Sequence, residues 1–279
     1  MSIFDSSRPK IDRLRAILRE MSRVVVAYSG GCDSAYLLRM ATDELGPAAI
    51  GLTAVGAALA SDEREAARRV AREMGAVQVE IDSHEIDNPD YVANAPDRCY
   101  HCKTELYDLA LAYAQEHGIS FVASGTNADE IGEYRPGLKA ASEHRVRHPL
   151  AEAGLSKEEI RAWSREIGLS TWNKPQTPCL ASRLPYGTTV TRETLERVER
   201  AERALRAAGF RVFRVRHHDA IARLEVSAEE LPRLLDPTTR AEVQRGIVGA
   251  GYTFAVLDLE PFRSGRLNEA AGLVPLKRG

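Results

Sequence analysis

Ser29-Gly30-Gly31-Cys32-Asp33-Ser34 follows directly on the β-rich run Arg23-Val-Val-Val-Ala-Tyr28 and opens a helical stretch, Ala35 to Leu45. A buried strand that turns through two glycines into a helix is an entry unit of α/β architecture. The glycines permit a tight turn and close backbone approach. The first amides of the helix have no acceptor within it and form an anion site. Ser29 and Ser34 add hydroxyl donors, whereas Asp33 is out of place beside a phosphate unless it holds Mg²⁺ or orients a partner. The loop has neither the Gly-Lys-Ser/Thr ending of a Walker A loop nor the Gly-x-Gly-x-x-Gly spacing of a dinucleotide site.

The alternation continues downstream. Helical patterns are predicted over Arg8 to Met21, Ser61 to Met74 (capped by Ser61) and Lys103 to His117, with a capping box at Ser156-Lys-Glu-Glu159 opening another. Strands are predicted over Ala49 to Val55, Val77 to Ile81 and Ile119 to Ala123. Such a series implies a doubly wound parallel sheet with right-handed crossovers. After Pro185 the pattern changes to a long charged helix, Thr191 to Ala208, two strand-like runs, Phe210 to Arg216 and Ala220 to Val226, a helical stretch and a last strand, Tyr252 to Leu259. The fold class read from the chain is α/β. A first domain spans residues 1–185 and a smaller α+β domain spans 186–279, joined by the Pro-rich segment Lys174 to Gly187.

Charge and hydropathy exclude several functions. A net charge of −2 gives no global field to draw in nucleic acid. The apolar run Gly46 to Ala60 is too short and too rich in Gly and Ala to span a bilayer. The first ten residues, MSIFDSSRPK, lack an apolar signal core, so a cytoplasmic location is expected. Four cysteines in 279 residues do not make a disulfide framework.

Cys32 lies at the variable position of the glycine loop and reads as a packed small hydrophobe. Cys99-Tyr-His-Cys102 is a C-x₂-C pair just before a helix, and Cys179 lies far along, in the Pro-rich segment. Four readings of these three thiols are open: thiols without a metal, a Zn site with His101, a [4Fe–4S] cluster on three thiolates with one iron left open, or a thiol at Cys179 that gives up or carries sulfur.

The loop Ser29 to Ser34 resembles the PP-loop, SGGxDS, of the ATP pyrophosphatases. That resemblance implies cleavage of ATP between its α and β phosphates with adenylation of a substrate oxygen. Ala27, Ser29, Gly30, Gly31, Asp33 and Ser34 would then bind ATP with Mg²⁺, and Gly125, Thr126 and Asn127, after the fourth strand, would lie beside the nucleotide.

The segment Asn173-Lys-Pro-Gln-Thr-Pro-Cys-Leu-Ala-Ser-Arg-Leu-Pro-Tyr-Gly-Thr188 resembles the cysteine loop of the LarE family of ATP-dependent sulfur transferases. Tyr134 to Lys139, Arg214-Val-Arg216, Ile221 to Glu225 and Phe262-Arg-Ser-Gly-Arg266 add to it, so the likeness covers nearly the whole chain. It implies adenylation of a carboxylate on a nicotinate-derived mononucleotide, followed by replacement of the activated oxygen by sulfur, in making the nickel-pincer nucleotide.

By the same resemblance Cys179, Cys99, Cys102 and Asp33 are catalytic. Cys99, Cys102 and Cys179 would hold a [4Fe–4S] cluster. Ser182, Arg183, Arg214, Arg216, Arg263 and Glu202 would bind the substrate and its phosphate, with Arg266 and Glu225 nearby and Tyr134 to Lys139 closing over it. A homo-oligomer, a hexamer, is implied, and the sulfur donor is left open. The competing readings are a tRNA-thiolating enzyme of the same loop family, an ammonia-using amide or nitrile synthase, and a nucleotide-sensing protein without turnover.

Overall fold

The computed structural model describes residues 2–131, 136–263 and 265–273. In chain order the first elements are α1 (Ile3–Met21), β1 (Val24–Ala27), α2 (Cys32–Leu45), β2 (Ala49–Val55), α3 (Ser61–Glu73), β3 (Val77–Asp82) and the short α4 (Pro89–Val92). Then come α5 (Arg98–Glu116), β4 (Val122–Ser124), α6 (Pro136–Glu143), α7 (Pro149–Glu152) and α8 (Lys157–Glu166). The remainder is α9 (Arg192–Ala207), β5 (Phe213–His218), β6 (Ile221–Val226), α10 (Pro237–Gly249), β7 (Phe254–Leu257) and α11 (Arg266–Ala270).

These elements form two compact units, residues 1–85 with 99–177, and residues 86–98 with 178–279.

The first unit is the expected doubly wound α/β layer. Its sheet is parallel throughout, in the order β3-β2-β1-β4. Val24, Val26 and Tyr28 face a core built with Leu14 and Leu18 of α1, Leu37 of α2, Val70 of α3 and Ile160 and Trp163 of α8. Val25 and Ala27 face the opposite core with Tyr107 and Ala110 of α5 and Ala140 and Ala141 of α6. Alternate strand residues thus bury on both faces, as parallel strands between two helix layers must. β1 lies between β2 and β4, so the chain leaves it in one direction and returns on its other side. Its carboxyl end is therefore the topological switch point, where such sheets bind ligands.

In the second unit β5 and β6 form an antiparallel hairpin and β7 adds parallel to β6, after the crossover through α10. Phe213, Val215, Ala222 and Leu224 bury one face of this sheet with Leu205 of α9 and Val243 and Ile247 of α10.

Several boundaries differ from the sequence expectation. α1 starts five residues early, at Ile3, because Ser2 and Asp5 form a capping box and Pro9 is tolerated inside the helix. Ser61 is the first residue of α3 and not its cap, which is Ala60 with no side-chain bond. Nothing after Pro96 breaks a helix, so α5 begins at Arg98 and takes in Cys99 and Cys102, which were expected just before it. β5 begins three residues late, since the amides of Arg211 and Val212 donate to the Glu230 carboxylate at 2.9 Å each and not to a strand.

Gly125 follows β4 at the switch point. A Cβ there would lie 2.8 Å from the Ser34 amide nitrogen and 2.9 Å from the Ser34 Cα. Gly125→Ala should therefore destabilise the chain by about 1–3 kcal/mol through overpacking against backbone. Gly249→Ala, where a Cβ meets nothing within 4 Å, should be neutral or slightly stabilising. Urea unfolding of the two variants checks the contrast.

Candidate active site

The Ser29–Ser34 loop ends on the first turn of α2. Gly31 is the helix N-cap, with no side-chain cap, so the amides of Cys32, Asp33 and Ser34 stay without an intrahelical acceptor. Gly30 has φ +69°, and a Cβ on it would lie 2.7 Å from the Cβ of Ala67 on α3. Only glycine fits there, and the turn aims successive amides to one side. Ser34 Oγ accepts from the Ser29 amide at 3.3 Å and lies 3.1 Å from Ser29 Oγ. Ala27 ends β1, and Gly125 packs on the Ser34 backbone, so the two glycine loops meet at the switch point.

Beside them, Asn127 is buried and accepts from the Asp129 amide at 3.1 Å. Thr126 Oγ1 lies 3.0 Å from Ser124 Oγ, which in turn meets His148 Nδ1 at 2.8 Å. Burial holds the His148 imidazole below its ordinary pKa, which favours its neutral form.

Asp33 stands at the head of α2, and its Oδ2 is bound by the ammonium of Lys157. Its other oxygen, Oδ1, is buried with no hydrogen-bond partner. A buried carboxylate oxygen pointing nowhere else suits a divalent cation, so the residues present fit the Mg²⁺ that accompanies ATP.

Cys32 is buried in the α2 core, and burial raises its thiol pKa. Cys99 is exposed and Cys102 half-buried. Three residues apart on one helix, they share a face. Cys179, half-buried, is the N-cap of a 3-10 turn, Leu180–Arg183, in the second unit.

That turn is held by three guanidiniums. Arg183, 1% exposed, clamps Glu202 of α9 bidentately at 2.8 and 2.9 Å and donates to the carbonyls of Pro178 and Cys179 and to Ser182 Oγ. Arg216 donates to the Ser182 carbonyl at 2.8 Å. Arg98, the residue before Cys99, donates to the Ala181 carbonyl at 2.9 Å and binds Asn94 Oδ1. Among the described residues no three His, Cys, Asp or Glu side chains are gathered to hold a metal. The thiols of Cys99 and Cys102, three residues apart on one helix, have the thiolate chemistry that iron–sulfur clusters require.

The strand arginines lie side by side as their alternation predicts. Arg214 pairs in register with Glu225, and Arg216 with Arg223. All but Arg223 of these four are buried. Arg216 binds Glu225 Oε2 at 3.0 and 2.8 Å through Nε and Nη2. Arg214 donates to the Phe213 carbonyl at 2.6 Å and stacks on Phe262 at 4.7 Å. Burial, then the neighbouring Arg183, hold Arg214 down at about 10, still charged at neutral pH. Glu225 meets Arg223 at 3.3 Å and Arg266 at 3.5 Å, and Arg263 is bound to Glu269. His217 is buried on Tyr252, 3.0 Å away. Tyr134, Arg135 and Ser264 lie outside the described residues.

A model of the asparagine synthase family matches residues 13–236. Over 258 residues the chain is 38% identical to the pyridinium-3,5-bisthiocarboxylic acid mononucleotide synthase of Lactiplantibacillus plantarum, covering 92% of each. It belongs to the asparagine synthase family and, within it, to the LarE group of PP-loop enzymes. An uncharacterised protein of Synechocystis is 40% identical over 93% of this chain and 97% of its own length. Another, of Methanocaldococcus jannaschii, is 24% identical over 91% and 98%. The chain is thus an ATP-using enzyme, as the LarE group is. Among the described residues no helix is long and apolar enough to cross a membrane.

Sequence reasoning passed over Lys157, Lys174 and Arg98. The ammonium of Lys174 lies 3.1 Å from the Gly30 carbonyl and 2.7 Å from Glu63. Lys157 lies within the capping box and Lys174 within the cysteine-loop segment, neither at a position read as functional. Arg98 carried the nearest signal, since it directly precedes the C-x₂-C pair.

Removing Glu202 would leave Arg183 buried and unpaired. Glu202→Ala should destabilise the chain by about 3–5 kcal/mol in urea unfolding, the usual cost of breaking a buried ion pair from one side. A loss under about 1 kcal/mol, typical of an exposed pair, would show that the clamp does not hold the turn.

Proposed function

We propose that this chain is an ATP-dependent sulfur transferase. It adenylates a carboxylate of a pyridinium mononucleotide and replaces an oxygen of that carboxylate with sulfur, in making the nickel-pincer nucleotide. The relative from Lactiplantibacillus plantarum, named for the bisthiocarboxylic mononucleotide, supports the substrate. The observation that carries the chemistry is the meeting of the two glycine loops at the switch point, with an unpartnered Asp33 oxygen beside them.

In the first step a substrate carboxylate oxygen bonds to the α phosphorus of ATP and pyrophosphate leaves. The α2 amides and the hydroxyls of Ser29 and Ser34 bind the phosphates, and Asp33 takes the Mg²⁺. In the second step sulfur attacks the acyl carbon and AMP departs with the oxygen. A carboxylate is a poor electrophile, and the adenylate supplies the leaving group that makes the attack feasible.

Cys99, Cys102 and Cys179 carry the sulfur step. They would hold a [4Fe–4S] cluster, whose fourth iron, left open, can present an extra sulfide. Cys99 and Cys102 support this reading: they offer two thiols three residues apart on one helix. Arg183 gives the Cys179 turn its shape, and the Arg214–Arg216 face with Arg263 receives the substrate phosphate. The thiols need a reducing compartment, which supports a cytoplasmic location, and the net charge of −2 favours a free nucleotide over RNA.

Anaerobically purified chain should contain about four iron and no zinc, and lose the iron on Cys→Ala substitution at any of the three positions. Incubation with ATP, Mg²⁺, sulfide and the carboxylated pyridinium mononucleotide should yield the thiocarboxylate by mass spectrometry. Loss of the elements of H₂S from Cys179 after one turnover would point instead to a sacrificed cysteine. Full product formation by the triple Cys→Ala variant would refute the sulfur role.

A further inference from the structure

A Walker A loop carries its phosphate-binding lysine within the loop. Ser29 to Ser34 has no lysine, and its one charged residue, Asp33, has the wrong sign for a phosphate. Two lysines reach the loop from elsewhere in the first unit. They are not equivalent.

Lys174 is committed to the turn itself. Its ammonium holds the Gly30 carbonyl at 3.1 Å, and Glu63 balances its charge at 2.7 Å. A carbonyl pinned in this way is kept from facing the anion, which leaves the amide side of the turn to the phosphates.

Lys157 is placed differently. It is the first residue of α8, and its backbone amide donates to Asp129 Oδ2 at 2.8 Å, in the turn that follows Asn127. Its main chain is therefore fixed by the second glycine loop while its ammonium reaches the first. There it bonds Asp33 Oδ2, and among the described residues Asp33 is the one carboxylate paired with it. The two side chains are 25% and 19% exposed, so the pair is partly shielded but open to a ligand. An ammonium has three donors, and a triphosphate offers several charged oxygens where Asp33 offers one carboxylate.

We propose that Lys157 is the phosphate-binding cation of this loop: its ammonium, held in reserve on Asp33, passes to the β- and γ-phosphate oxygens when ATP enters. When the substrate carboxylate oxygen bonds to the α phosphorus, the bond from that phosphorus to the bridging β oxygen breaks. Its electron pair stays on pyrophosphate, where Lys157 offsets the added charge. Asp33, released, has both oxygens available to the Mg²⁺ that accompanies ATP. The inference rests on the ATP-dependent reading above and names the residue that completes its nucleotide site.

The test is calorimetric titration of the full-length chain with α,β-methylene-ATP and, separately, with AMP, both in EDTA. Lys157→Met should weaken binding of the analogue by about tenfold or more, the loss expected for one charge-assisted hydrogen bond. AMP, which lacks the β and γ phosphates, should bind nearly as well as to the wild-type chain, and Lys157→Arg should recover most of the loss. A lysine that merely braces α8 would weaken both ligands alike. That result, or unchanged binding of the analogue, would overturn the proposal. A wild-type chain that bound neither ligand would remove the ATP-dependent reading itself, and this assignment with it.

Discussion

The site at the end of β1 depends on a backbone-to-backbone approach that leaves no room for a side chain. Gly125 packs on the Ser34 amide and Cα, and Gly30 packs on Ala67 with a left-handed φ. Neither contact is strong in itself. Together they close two loops, one after β1 and one after β4, around the same helix N-terminus. The strand order favours this, because it reverses at β1: the chain passes from β1 to β2 and β3 on one side and returns to β4 on the other. Donors held on such a scaffold need little rearrangement to meet an anion, which is the condition for stabilising charge that appears only as a bond breaks.

Charge in the second unit follows a different logic. Arg183, Arg214 and Arg216 are buried together, and unpaired cations would not survive there. Glu202 and Glu225 are buried with them and supply the counter-charge, Glu202 through both oxygens to Arg183 and Glu225 through Oε2 to two donors of Arg216. This arrangement costs desolvation on both sides, so stability alone does not explain it. Its geometric result is a fixed turn: Glu202 also accepts from the Val215 amide at the edge of β5, which ties α9, the hairpin and the Leu180–Arg183 turn to one carboxylate.

Much of this was legible in the chain. The strand–glycine–helix entry, the alternation behind it and the placing of Arg214 and Arg216 on one face of a strand all follow from local periodicity and turn chemistry. What escaped was set by contacts distant in sequence. Residues 86–98 belong with residues 178–279 because Asn94, in a left-handed conformation at φ 54°, binds the carbonyls of Pro185 and Thr188 at 2.7 and 2.9 Å. No pattern within residues 86–98 announces those partners. Lys157 was hidden for a similar reason: within its own segment it is an ordinary first-turn residue of a capped helix, and its partner lies 124 positions away. Arg183 was legible as important but not in its role, since only the folded chain shows its donors turned inward on Glu202 and the Pro178–Cys179 carbonyls.

The Cys179 turn shows why so many arginines are needed in one place. A 3-10 turn between prolines makes few backbone bonds of its own, here those from the Ser182 and Leu184 amides to the Cys179 and Ala181 carbonyls, and its carbonyls can accept more. Those of Pro178, Cys179, Ala181 and Ser182 are each met by a guanidinium, from Arg183, Arg98 or Arg216. Fixed guanidiniums in place of solvent keep the backbone of the turn satisfied and hold its shape. A single buried side chain with one hydrogen bond to each of Asn94 and Ala181 therefore ties residues 86–98 to the Leu180–Arg183 turn within the second unit.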